Sequence, residues 1–163
     1  MAVRNLQDLG EKLRNIVTRL MANDDLVKLL YYSDDDPLNH ENLTKEQKRE
    51  FVFHKLIKVL PRVGPKENAQ SILVITIMEA RKNPVNGEFK EITIRVESFV
   101  PLEQWIIKGD SLRPFYIMGE VEESLNRKRI DGLGQINSEG FELNFLTEEI
   151  SCYLQLFTIT LYD

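Results

Sequence analysis

One cysteine, Cys152, stands in 163 residues, and a single thiol neither closes an internal disulfide nor builds a cysteine-rich zinc site. The expected setting is a reducing compartment. Histidine is almost as scarce. His40 and His54 are the only two, and neither belongs to H-E-x-x-H or another metal-ligating pair. Net positive charge is missing as well: the formal charge is -5 at pH 7, which predicts weak attraction to phosphate backbones and no sequence-specific nucleic-acid binding. Long apolar runs are absent too. The richest stretches, Ile72 to Met78 and Tyr153 to Tyr162, are too short to cross a bilayer as helices. Arg4, Asp8, Glu11 and Lys12 interrupt the first segment, which has no signal-peptide core. These absences predict a soluble, cytosolically made protein with no membrane partner. No internal repeat or low-complexity stretch is visible.

What is present is ordinary globular chemistry: 42% hydrophobic and 29% charged residues, in a length that suits one domain with a sizeable core. Leu6, Leu9, Leu13, Ile16, Val17 and Leu20 recur at helical spacing, which predicts an amphipathic helix from about Asn5 to Ala22. Asn23 is placed to cap a second, short helix, with Asp24 and Asp25 in its positive first turn. Ser33 to Asn42 reads as a polar loop. Thr44 to Gln47 fits a capping box, opening a third helix that is expected to run toward Leu60 until Pro61 stops it. Pro61 to Pro65 then reads as a stiff connection.

The remainder reads as strands. Ser71 to Ala80 is nearly continuous in β-branched and apolar residues, as in a central strand covered on both faces. Asn83 to Gly87 is turn chemistry, and Glu88 to Val100 resumes as a strand. There Ile92, Ile94 and Val96 face inward while Thr93, Arg95 and Glu97 are expected to be wet. A helix over 113–127 has Pro114 in its first turn and Ile117, Met118, Val121 and Leu125 inside. Ile136 to Leu146 is a third strand, expected to be interrupted by a turn at Ser138-Glu139-Gly140, and Ser151 to Tyr162 is the fourth. The predicted class is α+β, with a mainly antiparallel four-stranded sheet of two hairpins. The N-terminal helix and the 113–127 helix cover it, with an extra helical section at 23–60. All of it forms one domain, helical over 4–60 and sheet-forming over 70–163.

No constellation specifies chemistry, so no catalytic, cofactor-binding or metal residue is assigned. Asp34-Asp35-Asp36 lacks the spaced ligands and glycine of a calcium loop and reads as a solvated acidic loop. His40 reads as an exposed loop residue and His54 as a helix-face residue. Cys152 begins a buried strand with no activating base in view. Gly132-Leu133-Gly134 lacks the third glycine of a phosphate loop and reads as a turn. Glu120, Glu122 and Glu123 followed by Arg127, Lys128 and Arg129 read as complementary charges at the two ends of a helix. Trp105 is either a cap over the core or an interface anchor. With Ile106 and Ile107, with Pro84 and Val85 at a hairpin tip, and with Arg127 and Arg129 as intersubunit ion-pair partners, it makes the candidate interface set.

Several stretches carry a resemblance. P-R-V-G-P at Pro61 to Pro65, F-V-P-L-E-Q-W-I-I at Phe99 to Ile107 and L-R-P-F-Y-I-M-G at Leu112 to Gly119 resemble a widespread group of tailed-phage virion proteins. So do G-L-G at Gly132 to Gly134, F-E-L-N-F-L-T-E-E-I-S-C-Y at Phe141 to Tyr153, the terminal Y-D, and the segment from Asn15 to Leu38. The layout is similar to the small α/β fold of phage tail terminator proteins. That resemblance implies a non-enzymatic subunit of a homo-oligomeric ring, commonly a hexamer, which caps the tail tube and joins it to the head connector. It also implies tail-tube, sheath or neck proteins as partners, DNA passing through the ring, and a place in the virion tail or neck after assembly in the host cytoplasm. The long section 23–60 departs from the shortest members and leaves another head-tail joining or adaptor role open. A small α/β enzyme whose site converges only in space is the competing class.

Overall fold

The computed structural model describes residues 3–59, 70–130 and 133–161. Leu60, the Pro61 to Pro65 connection, Gly132 and the terminal Tyr162-Asp163 lie outside the described residues. Helix α1 (Leu6–Met21) opens on a capping box in which the Asn5 side chain accepts from the Asp8 N–H at 2.8 Å, satisfying donors that the first turn leaves free. Leu9, Leu13, Ile16, Val17 and Leu20 form its buried stripe. Helix α2 (Asp24–Tyr31) is capped by Asn23, whose Oδ1 accepts from the Leu26 N–H at 3.0 Å. The same side chain donates from Nδ2 to Glu120 Oε2 at 2.8 Å and to Ser124 Oγ at 2.9 Å. One residue thus starts a helix and fastens it to another.

The third helix is far shorter than its pattern predicts. Thr44 and Gln47 form the capping box of α3 (Lys45–Gln47), which continues as a π-turn over Lys48–Val52. The Phe53 N–H then closes on the Lys48 carbonyl at 3.0 Å, and His54 takes a positive φ of 59°, which a helix does not propagate. His54 is therefore an exposed turn residue, not a helix-face one. The chain turns because Ile57, β-branched and fully buried, finds a better place in a sheet. Strand β1 (Ile57–Lys58) pairs in parallel with Leu73 and Val74.

The main sheet contains β1, β2 (Ile72–Lys82), β3 (Phe89–Pro101), β6 (Ile136–Leu146) and β7 (Ile150–Thr160), in the order β1-β2-β3-β7-β6. A small ribbon of β4 (Ile106–Ile107) and β5 (Ser111–Leu112) precedes α4 (Arg113–Leu125). The sheet is thus five-stranded and mixed, because the parallel β1 adds to the four antiparallel strands that the pattern predicts. The β2–β3 turn is set by Asn83, whose Oδ1 accepts from the Val85 N–H, and by Gly87 at φ 72°.

Two further expectations change. Only Ile72 to Ile75 of β2 are buried, while Met78, Glu79, Arg81 and Lys82 are exposed, because β1 flanks the strand only at Leu73 and Val74. Strand β6 is not broken at Ser138-Glu139-Gly140. Its register shifts between Ser138↔Phe157 and Phe141↔Gln155, so an extra residue is absorbed as a β-bulge with Gly140 at φ 101°, a conformation that glycine adopts without strain.

Helix α4 lies on the sheet face that carries Val96 and Gln155, fixed by a 3.0 Å hydrogen bond from Gln155 Nε2 to the Met118 carbonyl. Ile94, Val96, Ile117, Val121, Phe157 and Ile159 meet there in the core. Glu120, Glu122 and Glu123 fall in the second half of α4, with no acidic residue in its first turn, so they do not complement the helix dipole. Glu120 instead receives Asn23, and Glu123 meets Lys128 at 3.9 Å.

Candidate interaction surface

The opposite sheet face, expected to be wet, buries Glu97 and Cys152 in a polar network completed by the partly exposed Arg95 and the exposed Asn144. Arg95 Nη2 meets Glu97 Oε1 at 3.0 Å, Asn144 Nδ2 donates to Glu97 Oε2 at 3.0 Å, and the Cys152 thiol lies 3.6 Å from that oxygen. Glu97 tolerates burial because it is paired on both oxygens. Burial pushes the Cys152 thiol up, the Asn144 hydrogen bond opposes it, and the neighbouring Glu97 charge adds to the rise, to about 12. The reactive species is the thiolate, so such a thiol is inert. In the native protein Cys152 should react with a disulfide reagent at pH 8 about a thousandfold more slowly than a free thiol. Unfolding should restore the ordinary rate. Rapid labelling of the native state would contradict the packing described.

The acidic loop works structurally. The Asp35 carbonyl accepts from the Lys108 N–H at 2.6 Å, Asp36 Oδ2 meets Lys108 Nζ at 3.0 Å, and Asp34 Oδ2 meets His40 Nε2 at 2.7 Å. Burial pushes the Asp34 carboxyl up, but hydrogen bonds from the Asp36 N–H and the His40 ring outweigh it and hold the carboxyl below its ordinary value. Among the described residues no three His, Cys, Asp or Glu side chains converge as a metal site would require.

The distinctive surface is apolar. Helix α4 turns Pro114, Ile117, Met118, Val121 and Leu125 inward, which leaves Phe115 and Tyr116 outside, each 42% exposed. Phe115 contacts Phe141 of β6 at 5.9 Å and Tyr153 of β7 at 5.4 Å, centroid to centroid, and Tyr153 contacts Trp105 at 6.2 Å. Beyond Ser138, β6 is exposed along its length. Phe141, Leu143, Phe145 and Leu146 are 58%, 50%, 40% and 56% exposed. Strand β6 is also last in the sheet order, so its outer backbone groups have no strand partner among the described residues. Glu142, Glu148 and Glu149 border this edge and are exposed.

The sequence-derived candidates divide. Trp105 is half-buried and donates from Nε1 to Ser151 Oγ at 2.8 Å, so it caps the core while supporting the aromatic surface. Ile106 is 63% exposed beside it, whereas Ile107 is 4% exposed, pointing inward because adjacent strand residues alternate in direction. Pro84 and Val85 are exposed on the β2–β3 turn, and Arg127 and Arg129 on the loop after α4. These four sit at the other end of the sheet. The Arg127 N–H bonds to the Ile136 carbonyl, and Ile136 is paired with Ile159, whereas Trp105 bonds to Ser151 at the start of β7. Phe115, Tyr116, Phe141 and Leu143 carry no such signal in sequence, since Phe141 and Leu143 alternate with Glu142 and Asn144 as buried-face residues do. Only the strand order makes them an edge.

An α+β domain with an apolar edge and no converged chemistry among its described residues is the class defined by this geometry. The YomW family matches residues 23–159, and the chain belongs to that family, which is phage-derived (SPBc2 prophage-like). No curated protein matches the chain.

Proposed function

We propose that this chain is a non-enzymatic structural protein of a phage particle, a tail terminator or neck-ring subunit that caps the tail tube and joins it to the head connector. The observation that carries the reading is the β6 edge: an eleven-residue strand whose Phe141, Leu143, Phe145 and Leu146 stand exposed. A long apolar edge strand invites pairing or aggregation unless a partner covers it. Family membership supports the phage setting, and the resemblance of the motifs to virion proteins supports the neck or tail end. An acidic balance of -5 suits a ring that DNA traverses without sticking.

The test is the mass of the purified protein, alone and with tail tubes of the encoding phage. Sedimentation should give a discrete ring, six copies being the expected number, and electron microscopy should place it on one end of each tube. A protein that stays monomeric and leaves tube ends bare would end the assignment. Rings found only between connector and tail completion proteins would select the neck role over the terminator.

A further inference from the structure

Opposite the β6 edge lies a second, complementary surface. A groove of about 490 Å³ opens between the end of α1 and the α3/π-turn segment, lined by Thr18, Met21, Ala22, Phe53 and the cations Lys45, Lys48 and Arg49. Its floor is apolar and its wall is basic. Lys48 is committed, donating to Asp24 Oδ1 at 2.6 Å and to the Met21 carbonyl at 3.0 Å. Lys45 and Arg49 are exposed and form no ion pair among the described residues. In a chain of net charge -5, two free cations beside an apolar floor specify an acidic, apolar occupant.

The chain displays such a segment elsewhere. The β6–β7 turn reads Phe145-Leu146-Thr147-Glu148-Glu149, two exposed apolar residues followed by two exposed acids. Its backbone is held out rigidly: Thr147 Oγ1 accepts from the Glu149 and Ile150 N–H groups, and the Leu102 N–H donates to the Glu149 carbonyl at 2.9 Å. The groove belongs to the β1 side of the sheet, since Phe53 bridges to Ile57, and the turn belongs to the β6 side. Four strand spacings separate the two edges, roughly 19 Å, so one molecule does not satisfy both.

We infer that the groove receives the β6–β7 turn of a second copy, with Leu146 on the apolar floor and Glu148 and Glu149 against Lys45 and Arg49. The volume lies in the range of pockets that bury a drug-sized ligand (roughly 300–1,000 Å³), which exceeds what one leucine side chain needs. Two different patches on opposite edges make the contact heterologous, and repeated head-to-tail contacts close a ring when the rotation allows. This rests on the ring reading above and names the surfaces that would build it.

Reversing charge on one side tests it: K45E with R49E in the groove, E148K with E149K on the turn, and all four together. Sedimentation is measured alone and on tail tubes, with thermal melts to verify folding. Each double variant should weaken self-association at least tenfold, and the fourfold variant should recover it. Mixing the two doubles should restore association, because the acidic groove of one copy then meets the basic turn of the other. The native groove of that other copy likewise meets the native acidic turn of the first. Two doubles that stay apart when mixed would also count against the contact. Raising salt should weaken the wild-type contact. Rings that persist unchanged in both doubles would overturn this contact and leave the ring reading standing, as would a groove that binds only another virion protein. A wild-type chain that never assembles, alone or on tubes, would overturn both.

Discussion

Replacing Arg113 by methionine should destabilise the fold by about 3–5 kcal/mol, the cost of stranding several carbonyl acceptors that the buried guanidinium satisfies. Arg113 is 0% exposed and has no carboxylate partner in hydrogen-bond contact. It donates instead to four carbonyls: from Nε to Gln104 at 2.8 Å, from Nη1 to Leu29 at 2.6 Å and Tyr32 at 2.7 Å, and from Nη2 to Asp34. Leu29 and Tyr32 lie at the C-terminal end of α2, where unsatisfied carbonyls and the helix dipole favour a cation. Burial pulls the guanidinium pKa down and the Asp34 charge opposes this, but arginine stays protonated in proteins. Methionine fills comparable space yet strands the carbonyls, two of them in buried surroundings. Lysine keeps the charge but reaches fewer acceptors, so R113K should lose about half as much.

Urea unfolding measures the loss, and Trp105, the only tryptophan, supplies a local reporter. The Arg113 side chain holds the carbonyl of Gln104, the residue before Trp105, at 2.8 Å, so the variant should show a red-shifted, more quenchable emission before global unfolding. Arg113 thereby connects α2, the acidic loop and the ribbon that carries Ile106. A methionine variant of wild-type stability and emission would show that the carbonyl cage contributes nothing.

Gly134→Ala should cost about 3 kcal/mol, toward the upper end of overpacking penalties. A methyl group at Gly134 would fall on the carbonyl of Thr160, and that obstacle is backbone rather than a side chain able to swing aside. Thr160 is held in the β3–β7 ladder opposite Glu91, so relief requires either β7 or the approach to β6 to move. Valine should cost more. The denaturation midpoint should fall with little change in slope, because the same surface is exposed on unfolding. An alanine variant as stable as the parent would mean that this approach is looser than the geometry indicates. The glycine is thus a packing residue.

Local patterns were legible wherever one element decides its own fate. Asn5, Asn23 and Thr44 announce helix starts because a cap is a contact between residues three apart. Ile117, Met118, Val121 and Leu125 announce the inner face of α4 for the same reason. The third helix is shorter than its pattern because Phe51 to Leu60 is apolar at spacings that serve either structure, and Ile57 is drawn to the edge of β2, where it pairs with Leu73 sixteen residues downstream. The glutamates of α4 do not act at its positive end because the helix opens at Arg113, which leaves Glu120 to Glu123 past its middle, while Arg127 at φ 58° lies beyond its end.

By itself the sequence determined the α+β class, the caps, the hairpin of β2 and β3, the inner face of α4 and the lack of any recognisable catalytic motif, since each is written in periodicity or short-range hydrogen bonding. Only the tertiary structure decided that β6 is an edge, that Phe141 and Leu143 face outward, that Ile107 is buried while Ile106 is not, and that Arg113 lies in a cage of carbonyls. The physical reason is the same in each case. Exposure depends on which neighbour arrives from far along the chain, and alternation along a strand is identical whether the strand ends up in the middle of a sheet or at its rim.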